Sequence, residues 1–260
     1  MKRNVIITVL VILFLTVAAG LYKFYSKESP SKTPPPRMVY KNISELDEDI
    51  KRLEALRSAK GLSWQEAYRL GTLYMRKDRV NEAITVLESS ARMYPDYAKT
   101  YESLGKAYFK TGKIDKAIDL WEKALKMNPS AENLKEMISQ GKGRMSLLDR
   151  ISVLEKEIKP GDANWEKRFE LSILYLSVNR IADAKAGLEE VLKLKKDSPD
   201  VYDAMAEANA QSGDFDKAIE NEKKALSLNP KSDVLKKRLS DMEKARDAGN
   251  KKESQKGDIR

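Results

Sequence analysis

Apolar positions along residues 64–131 recur at helical spacing, and the whole pattern repeats after 34 residues. The paired positions are Ala67 and Tyr101, Leu70 and Leu104, Gly71 and Gly105, Tyr74 and Tyr108, Ala83 and Ala117, Leu87 and Trp121, Ser90 and Ala124, and Pro95 and Pro129. A fixed period of this length is typical of stacked helix–turn–helix units. We therefore predict two helical hairpins, with a positive backbone φ at Gly112 in the turn of the second.

A second pair of hairpins is predicted over residues 165–198 and 199–232, again offset by 34 positions. This pair departs from the first at Arg168, Ser172, Ala206, Asn209 and Glu222. The intervening stretch, 132–164, is predicted to be a degenerate unit that keeps its helix pair. A hinge at Gly141–Gly143 is the alternative.

The second hairpin of the first pair carries the most regular motif, formed by Tyr101, Leu104, Gly105, Tyr108, Ala117, Trp121, Ala124 and Pro129. This motif resembles that of the tetratricopeptide repeat family. The resemblance implies an all-α fold, a superhelical solenoid of α–α hairpins with four recognisable units. Such arrays bind protein or peptide segments on an extended surface.

In that family the first helix of each unit lines a concave groove. The residues that the resemblance nominates for peptide contact are Tyr68, Thr72, Met75, Arg76, Lys99, Lys106, Phe109, Lys110, Phe169, Ile173, Asp203 and Glu207. They grade from basic and aromatic through apolar to acidic. For Phe109 and Phe169, groove contact and packing against neighbouring helices both remain open. Thr72 and Lys106 stand where some members carry a carboxylate-binding Asn, so that clamp is not expected.

The segment 5–22 contains 18 consecutive uncharged residues, which is long enough to cross a bilayer as a helix. We predict a single N-terminal transmembrane helix within residues 1–25, with the repeats on the extracytoplasmic (periplasmic) side. A signal peptide cleaved after the small residues Val17 and Ala19 is the alternative. Residues 26–41 are rich in proline and predict an extended linker.

Further helices are predicted on either side of the repeats. The region 42–63 is predicted to hold a capping helix over 44–60, which Ser44 and Asp47 begin and Gly61 ends. Residues 233–246 predict a second capping helix, begun by Ser232 and Asp233. The charged residues 247–260 predict disorder, because they offer little apolar surface to bury.

The composition argues against most kinds of catalytic, metal-binding and nucleic-acid-binding site. The chain has no Cys, which excludes thiolate metal sites and cysteine nucleophiles, and no His, which removes the commonest metal ligand and the commonest general base. The first 41 residues carry a net charge of +6 and the last 30 carry +4, which leaves −1 for residues 42–230. A nucleic-acid surface needs positive charge on the folded body. We therefore expect no enzyme activity, no cofactor, no metal and no nucleic-acid partner.

The function that these features predict is protein binding. We expect a membrane-tethered scaffold or assembly factor that holds a protein or peptide segment in its groove. The alternatives are a secreted binding protein released by signal cleavage and a recognition subunit of a larger membrane biogenesis complex. The sequence leaves the partner and the oligomeric state open.

Overall fold

The computed structural model describes residues 33–36, 39–159 and 161–257, which form eleven helices and no strand. The helices are α1 (Ile43–Lys60), α2 (Trp64–Arg76), α3 (Val80–Met93), α4 (Ala98–Lys110), α5 (Ile114–Met127), α6 (Glu132–Glu157), α7 (Trp165–Ser177), α8 (Ile181–Leu194), α9 (Pro199–Gln211), α10 (Phe215–Leu228) and α11 (Asp233–Gly257). The predicted hairpins are therefore present as α2–α3, α4–α5, α7–α8 and α9–α10.

The predicted transmembrane helix within 1–25 lies outside the described residues. Among the helices that are described, none combines the length and the apolarity needed to cross a bilayer.

The chain divides into two compact units, with the boundary between Gly141 and Lys142. Unit 1 contains α1–α5 and the start of α6, and unit 2 contains the remainder of α6 and α7–α11. Each unit buries its own apolar residues, such as Leu70 and Leu87 in unit 1 and Leu188 and Val191 in unit 2.

The two helices of a hairpin are in close contact at the motif glycine. A Cβ added to Gly105 would lie 2.3 Å from Nε1 of Trp121, and one added to Gly71 would lie 2.5 Å from Cγ of Leu87. In the α7–α8 hairpin of unit 2 the glycine lies on the second helix instead of the first. Ser172 stands at the position of the motif glycine, and Gly187 faces it. A Cβ added to Gly187 would lie 2.2 Å from the Ser172 hydroxyl oxygen. The departure at Ser172 therefore preserves the close helix contact.

The turn inside each hairpin has one residue with a left-handed backbone conformation, at the same position of the repeat. Gly112 has a φ of 78°, as predicted, and the equivalent residues of the other hairpins share this geometry. They are Asp78, Asn179 and Gly213, with φ values of 61°, 63° and 81°. Asp and Asn are the non-glycine residues that tolerate this conformation best.

Consecutive elements are also joined by a repeated hydrogen bond from the motif tyrosine to a glutamate 20 residues earlier. The pairs are Tyr74 with Glu54 at 2.8 Å, Tyr108 with Glu88 at 2.5 Å, and Tyr175 with Glu155 at 2.8 Å. Glu54 lies in α1 and Glu155 in α6, so both helices contact the following hairpin as a second repeat helix would. Asn209 ends the series in the last hairpin.

Three predictions about local structure are wrong. Residues 132–157 form one continuous helix, α6, instead of a helix pair. Gly141 is buried against Ile118 and Gly143 is exposed, and the helix runs through both without a break. The alternative, a boundary between two halves at Gly141–Gly143, does agree with the division into compact units between Gly141 and Lys142. The cap of α1 is Asn42, whose side chain accepts from the Glu45 amide at 2.9 Å, and Ser44 lies inside the helix.

The third error concerns the C-terminus, where α11 continues to Gly257 through the residues predicted to be disordered. Lys, Glu and Gln in this stretch have high helix propensity, and helix formation does not require burial. The predicted cap at its start is confirmed, because the Ser232 hydroxyl accepts from the Leu235 amide at 3.3 Å.

The core of unit 2 contains a buried acid. Glu222 occupies the position that Trp121 fills in unit 1, is fully buried, and has no hydrogen-bond donor for either carboxylate oxygen. Burial, followed by the nearby negative charge of Asp203, raises the pKa of Glu222 to about 7, although Arg238 opposes the shift. Protonation makes Glu222 a donor toward Asp203, so the folded state favours the protonated acid.

Matched glycine substitutions test the helix contact. Gly105→Ala should lower the free energy of unfolding by about 1–3 kcal/mol, because the added methyl collides with Trp121. Gly143→Ala is the control, since nothing lies within 4 Å of its added Cβ. It should raise stability by about 0.5–1 kcal/mol through helix propensity. Urea unfolding followed by circular dichroism measures both, and equal effects would contradict the packing described.

The buried acid predicts a pH-dependent stability. The folded-state pKa of Glu222 lies near 7, above the ordinary glutamate pKa of 4.5. Protonated Glu222 therefore makes its full contribution to the free energy of unfolding at low pH. That contribution is lost as pH rises through about 7. Relative to wild type, Glu222→Gln should therefore gain about 2 kcal/mol of unfolding free energy between pH 5 and pH 8. Glu220→Gln, exposed on the same helix, should show no such gain in parallel urea titrations.

Candidate protein-binding grooves

In unit 1 the first helices of the two hairpins, α2 and α4, line a cavity of about 560 Å³ that we call the unit 1 groove. Its wall is formed by Tyr68, Arg69, Thr72, Leu73 and Arg76 of α2, Lys99, Glu102, Ser103 and Lys106 of α4, and Tyr97, Pro35, Pro36 and Tyr40 outside these helices. The structure thus brings together five of the predicted contact residues, namely Tyr68, Thr72, Arg76, Lys99 and Lys106.

Aromatic rings support one side of the unit 1 groove. The Tyr68 and Tyr97 rings meet edge to face with their centres 5.2 Å apart, and Tyr97 also packs against buried Trp64 at 5.0 Å. Burial raises the pKa of Tyr97 to about 12, and burial likewise raises the pKa of Tyr68. Both phenols therefore remain neutral at physiological pH and present amphipathic contact surface.

A charged cluster lies at the α4 side of the unit 1 groove. The buried carboxylate of Glu102 accepts hydrogen bonds from Lys99 at 2.7 Å and from Lys106 at 2.8 Å. Burial alone would raise the pKa of Glu102, but the hydrogen bonds from Lys106 and Lys99 outweigh it and the pKa is lowered. At the predicted basic end of the groove, both lysines therefore form ion pairs with one glutamate.

Three predicted contact residues lie outside the unit 1 cavity. Phe109 is half-buried and packs against Trp121 with ring centres 5.5 Å apart, which is the packing alternative of its prediction. Lys110 forms an ion pair with Asp78 at 2.5 Å on the surface. Met75 is half-buried and does not line the cavity.

Unit 2 has its own cavity of about 480 Å³, the unit 2 groove, between α7 and α9. It is lined by Phe169, Ile173, Leu176 and Ser177 of α7, Asp200, Asp203, Ala204, Glu207 and Gln211 of α9, and Arg238 of α11. All four predicted contact residues of this unit therefore line the cavity, namely Phe169, Ile173, Asp203 and Glu207. An adjoining apolar cavity of about 340 Å³ shares Phe169 and Ile173 and reaches Trp165.

The unit 2 groove is apolar along α7 and acidic along α9. Asp203 is paired with Arg238, and this charge-assisted contact raises the pKa of Arg238. The groove therefore combines an apolar wall, partly exposed at Ile173, with carboxylates that favour basic groups.

Sequence reasoning missed the groove residues that come from outside the repeat pattern. Arg238 belongs to the terminal helix, while Pro35, Pro36 and Tyr40 belong to the predicted linker. Tyr97 precedes α4 by one residue and carried no motif signal. Within the described part of the chain, no group of three or more Asp or Glu side chains is arranged to hold a metal ion.

Family models described as tetratricopeptide repeat match residues 67–97, 98–131 and 169–233, and they indicate no catalytic family. A search of curated proteins finds no match.

Solved structures to which the chain is similar include the TPR domain of P58(IPK), at 17% sequence identity and a TM-score of 0.40. That match covers 82% of this chain and only 64% of the P58(IPK) chain. YrrB, described as a TPR protein with an unusual peptide-binding site, is 15% identical, with 74% of this chain and 99% of YrrB covered and a TM-score of 0.35.

TTC0263, a TPR protein of Thermus thermophilus, is 22% identical, with 69% of this chain and 98% of TTC0263 covered and a TM-score of 0.34. The matching family models fall on hairpins of both units, at the positions where the 34-residue period and the close glycine contacts occur. Both compact units are built on these repeats, and the chain therefore belongs to the tetratricopeptide repeat family.

Proposed function

We propose that this protein is a membrane-tethered scaffold or assembly factor that holds an extended segment of another protein in its repeat grooves. The observation that carries the proposal is the unit 1 groove. Neutral tyrosines line this cavity together with Glu102 and the two lysines that hydrogen-bond to it, Lys99 and Lys106. Such a surface supplies rigid aromatic contact together with oriented polar groups, which is what peptide recognition requires.

The unit 2 groove supports the same role with different chemistry. Its apolar wall at Phe169 and Ile173 can receive an aliphatic or aromatic side chain, while the carboxylates of Asp200 and Glu207 favour a basic one. Two grooves of distinct character on one chain allow two segments, or two proteins, to be held at once.

Membrane attachment is supported by the uncharged segment 5–22, preceded by Lys2 and Arg3. We propose that this segment is an uncleaved anchor and that the repeats lie on the extracytoplasmic side. A short basic tail before the first apolar segment is the usual form of a signal anchor.

Site-specific photo-crosslinking tests the grooves in the native membrane. A photoreactive residue at Thr72 or Ile173, which line the two grooves, should capture defined proteins. The same residue at Thr85 or Glu189, exposed on second repeat helices, should not. Adding Tyr68→Ala should reduce capture from Thr72 several-fold. Capture that is as strong from Thr85 as from Thr72 would contradict groove binding.

Fractionation tests the membrane attachment. The full chain should remain in the pellet after carbonate extraction, and a variant lacking residues 1–25 should move to the supernatant. N-terminal sequencing of the mature protein should begin at Met1 or Lys2. A sequence that begins after Ala19 would instead establish a cleaved signal peptide and a released protein.

A further inference from the structure

The chain's own N-terminal segment lies against the unit 1 groove. Pro35 and Pro36 line its cavity, and the backbone carbonyl of Thr33 accepts a hydrogen bond from the Gln65 side-chain amide at 3.4 Å. Pro35 is half-buried, whereas Pro34 and Pro36 are exposed. The segment therefore contacts α2 through a particular residue and a particular carbonyl.

Tyr40 holds this segment to the repeats at its other end. Its hydroxyl donates to buried Asp49 of α1 at 2.5 Å and accepts from Arg69 of α2 at 3.3 Å. The Arg76 guanidinium stands 5.6 Å from the Tyr40 ring centre, within cation–π range. Because Arg69 and Arg76 both line the groove, Tyr40 is bound by groove residues as well as by the capping helix.

The chemistry of the contact is that of polyproline recognition. Proline has a fixed φ and no N–H, so consecutive prolines are extended before binding and lose little entropy on docking. Grooves walled by aromatic side chains recognise such segments, and Tyr68 and Tyr97 provide aromatic rings here.

We propose that the unit 1 groove is a binding site for extended proline-rich segments followed by a tyrosine, and that residues 33–36 with Tyr40 are its internal ligand. The proposal rests on the proposed function, because a partner segment of this same chemistry binds by displacing the internal one. A short tether gives the internal ligand an effective concentration on the order of millimolar. An internal ligand with a dissociation constant near 100 μM for the open groove then weakens the binding of any competing segment about tenfold.

The absence of cysteine from the chain permits a direct test of the internal contact. In the full chain, Thr33→Cys with Gln65→Cys should be joined by a short bismaleimide, because the Thr33 carbonyl and the Gln65 side-chain nitrogen are only 3.4 Å apart in the wild type. Thr33→Cys with Thr85→Cys is the matched control, since Thr85 is exposed on α3 and does not line the cavity. Equal crosslinking of the two pairs would overturn the internal ligand.

A labelled synthetic peptide with the sequence of residues 30–41 then serves as the ligand added in trans. Tyr40→Ala should raise its affinity for the full chain about tenfold, because the internal segment loses its attachment. Tyr40→Phe, which keeps the ring beneath Arg76, should give a smaller rise. Val39→Ala, at a position 82% exposed, should give none. Circular dichroism checks that each variant is folded.

The outcomes separate this proposal from the proposed function. If Tyr40→Ala and Val39→Ala bind the peptide equally and the two cysteine pairs crosslink alike, the internal ligand is wrong, whatever Thr72 captures in membranes. If the Thr33–Gln65 crosslink forms and Tyr40→Ala binds the peptide more tightly, the internal ligand is supported. A lack of any protein captured from either Thr72 or Ile173 in that variant would then overturn the scaffold role alone.

Discussion

The close contact between the two helices of a hairpin is the constraint on which the unit 1 groove depends. In unit 1 the contact is made by Trp121 against Gly105, and the indole N–H also donates to the Glu102 carbonyl at 3.2 Å. The side chain of that same Glu102 holds Lys99 and Lys106 at the cavity. A core residue therefore fixes the backbone from which the charged cluster projects, so the shape of the groove follows directly from hairpin packing.

Much of the fold could be predicted because its determinants are local and periodic. The 34-residue offset located all four hairpins, and Gly112 identified a turn geometry that Asp78 and Asn179 also adopt. The error over residues 132–164 arose because glycine serves more than one purpose in helical proteins. Gly141 and Gly143 suggested a break between helices, yet one allows close packing against Ile118 and the other is an exposed helical residue, a distinction that only tertiary contacts define.

The grooves were less predictable than the fold. The family resemblance, carried onto the first helix of each hairpin, nominated Tyr68, Thr72, Phe169 and Asp203, and the structure places all four on cavity walls. Register does not show which charges are already paired. Lys106 and Lys110 are nominated by the resemblance only as basic contact residues, whereas in the structure they form ion pairs with Glu102 and Asp78. Pairings of this kind depend on rotamers and on neighbouring helices, neither of which a motif specifies.

In both units, a segment outside the repeats reaches into the groove that the repeats form. Tyr40 with Pro35 does so in unit 1, and Arg238 of the terminal helix does so in unit 2, where it offsets the charge of Asp203 beside buried Glu222. Each insertion matches the chemistry of its groove, aromatic and proline-compatible in one and acidic in the other. The repeats therefore set what each groove can bind, while the flanking segments set how much of it a partner can reach.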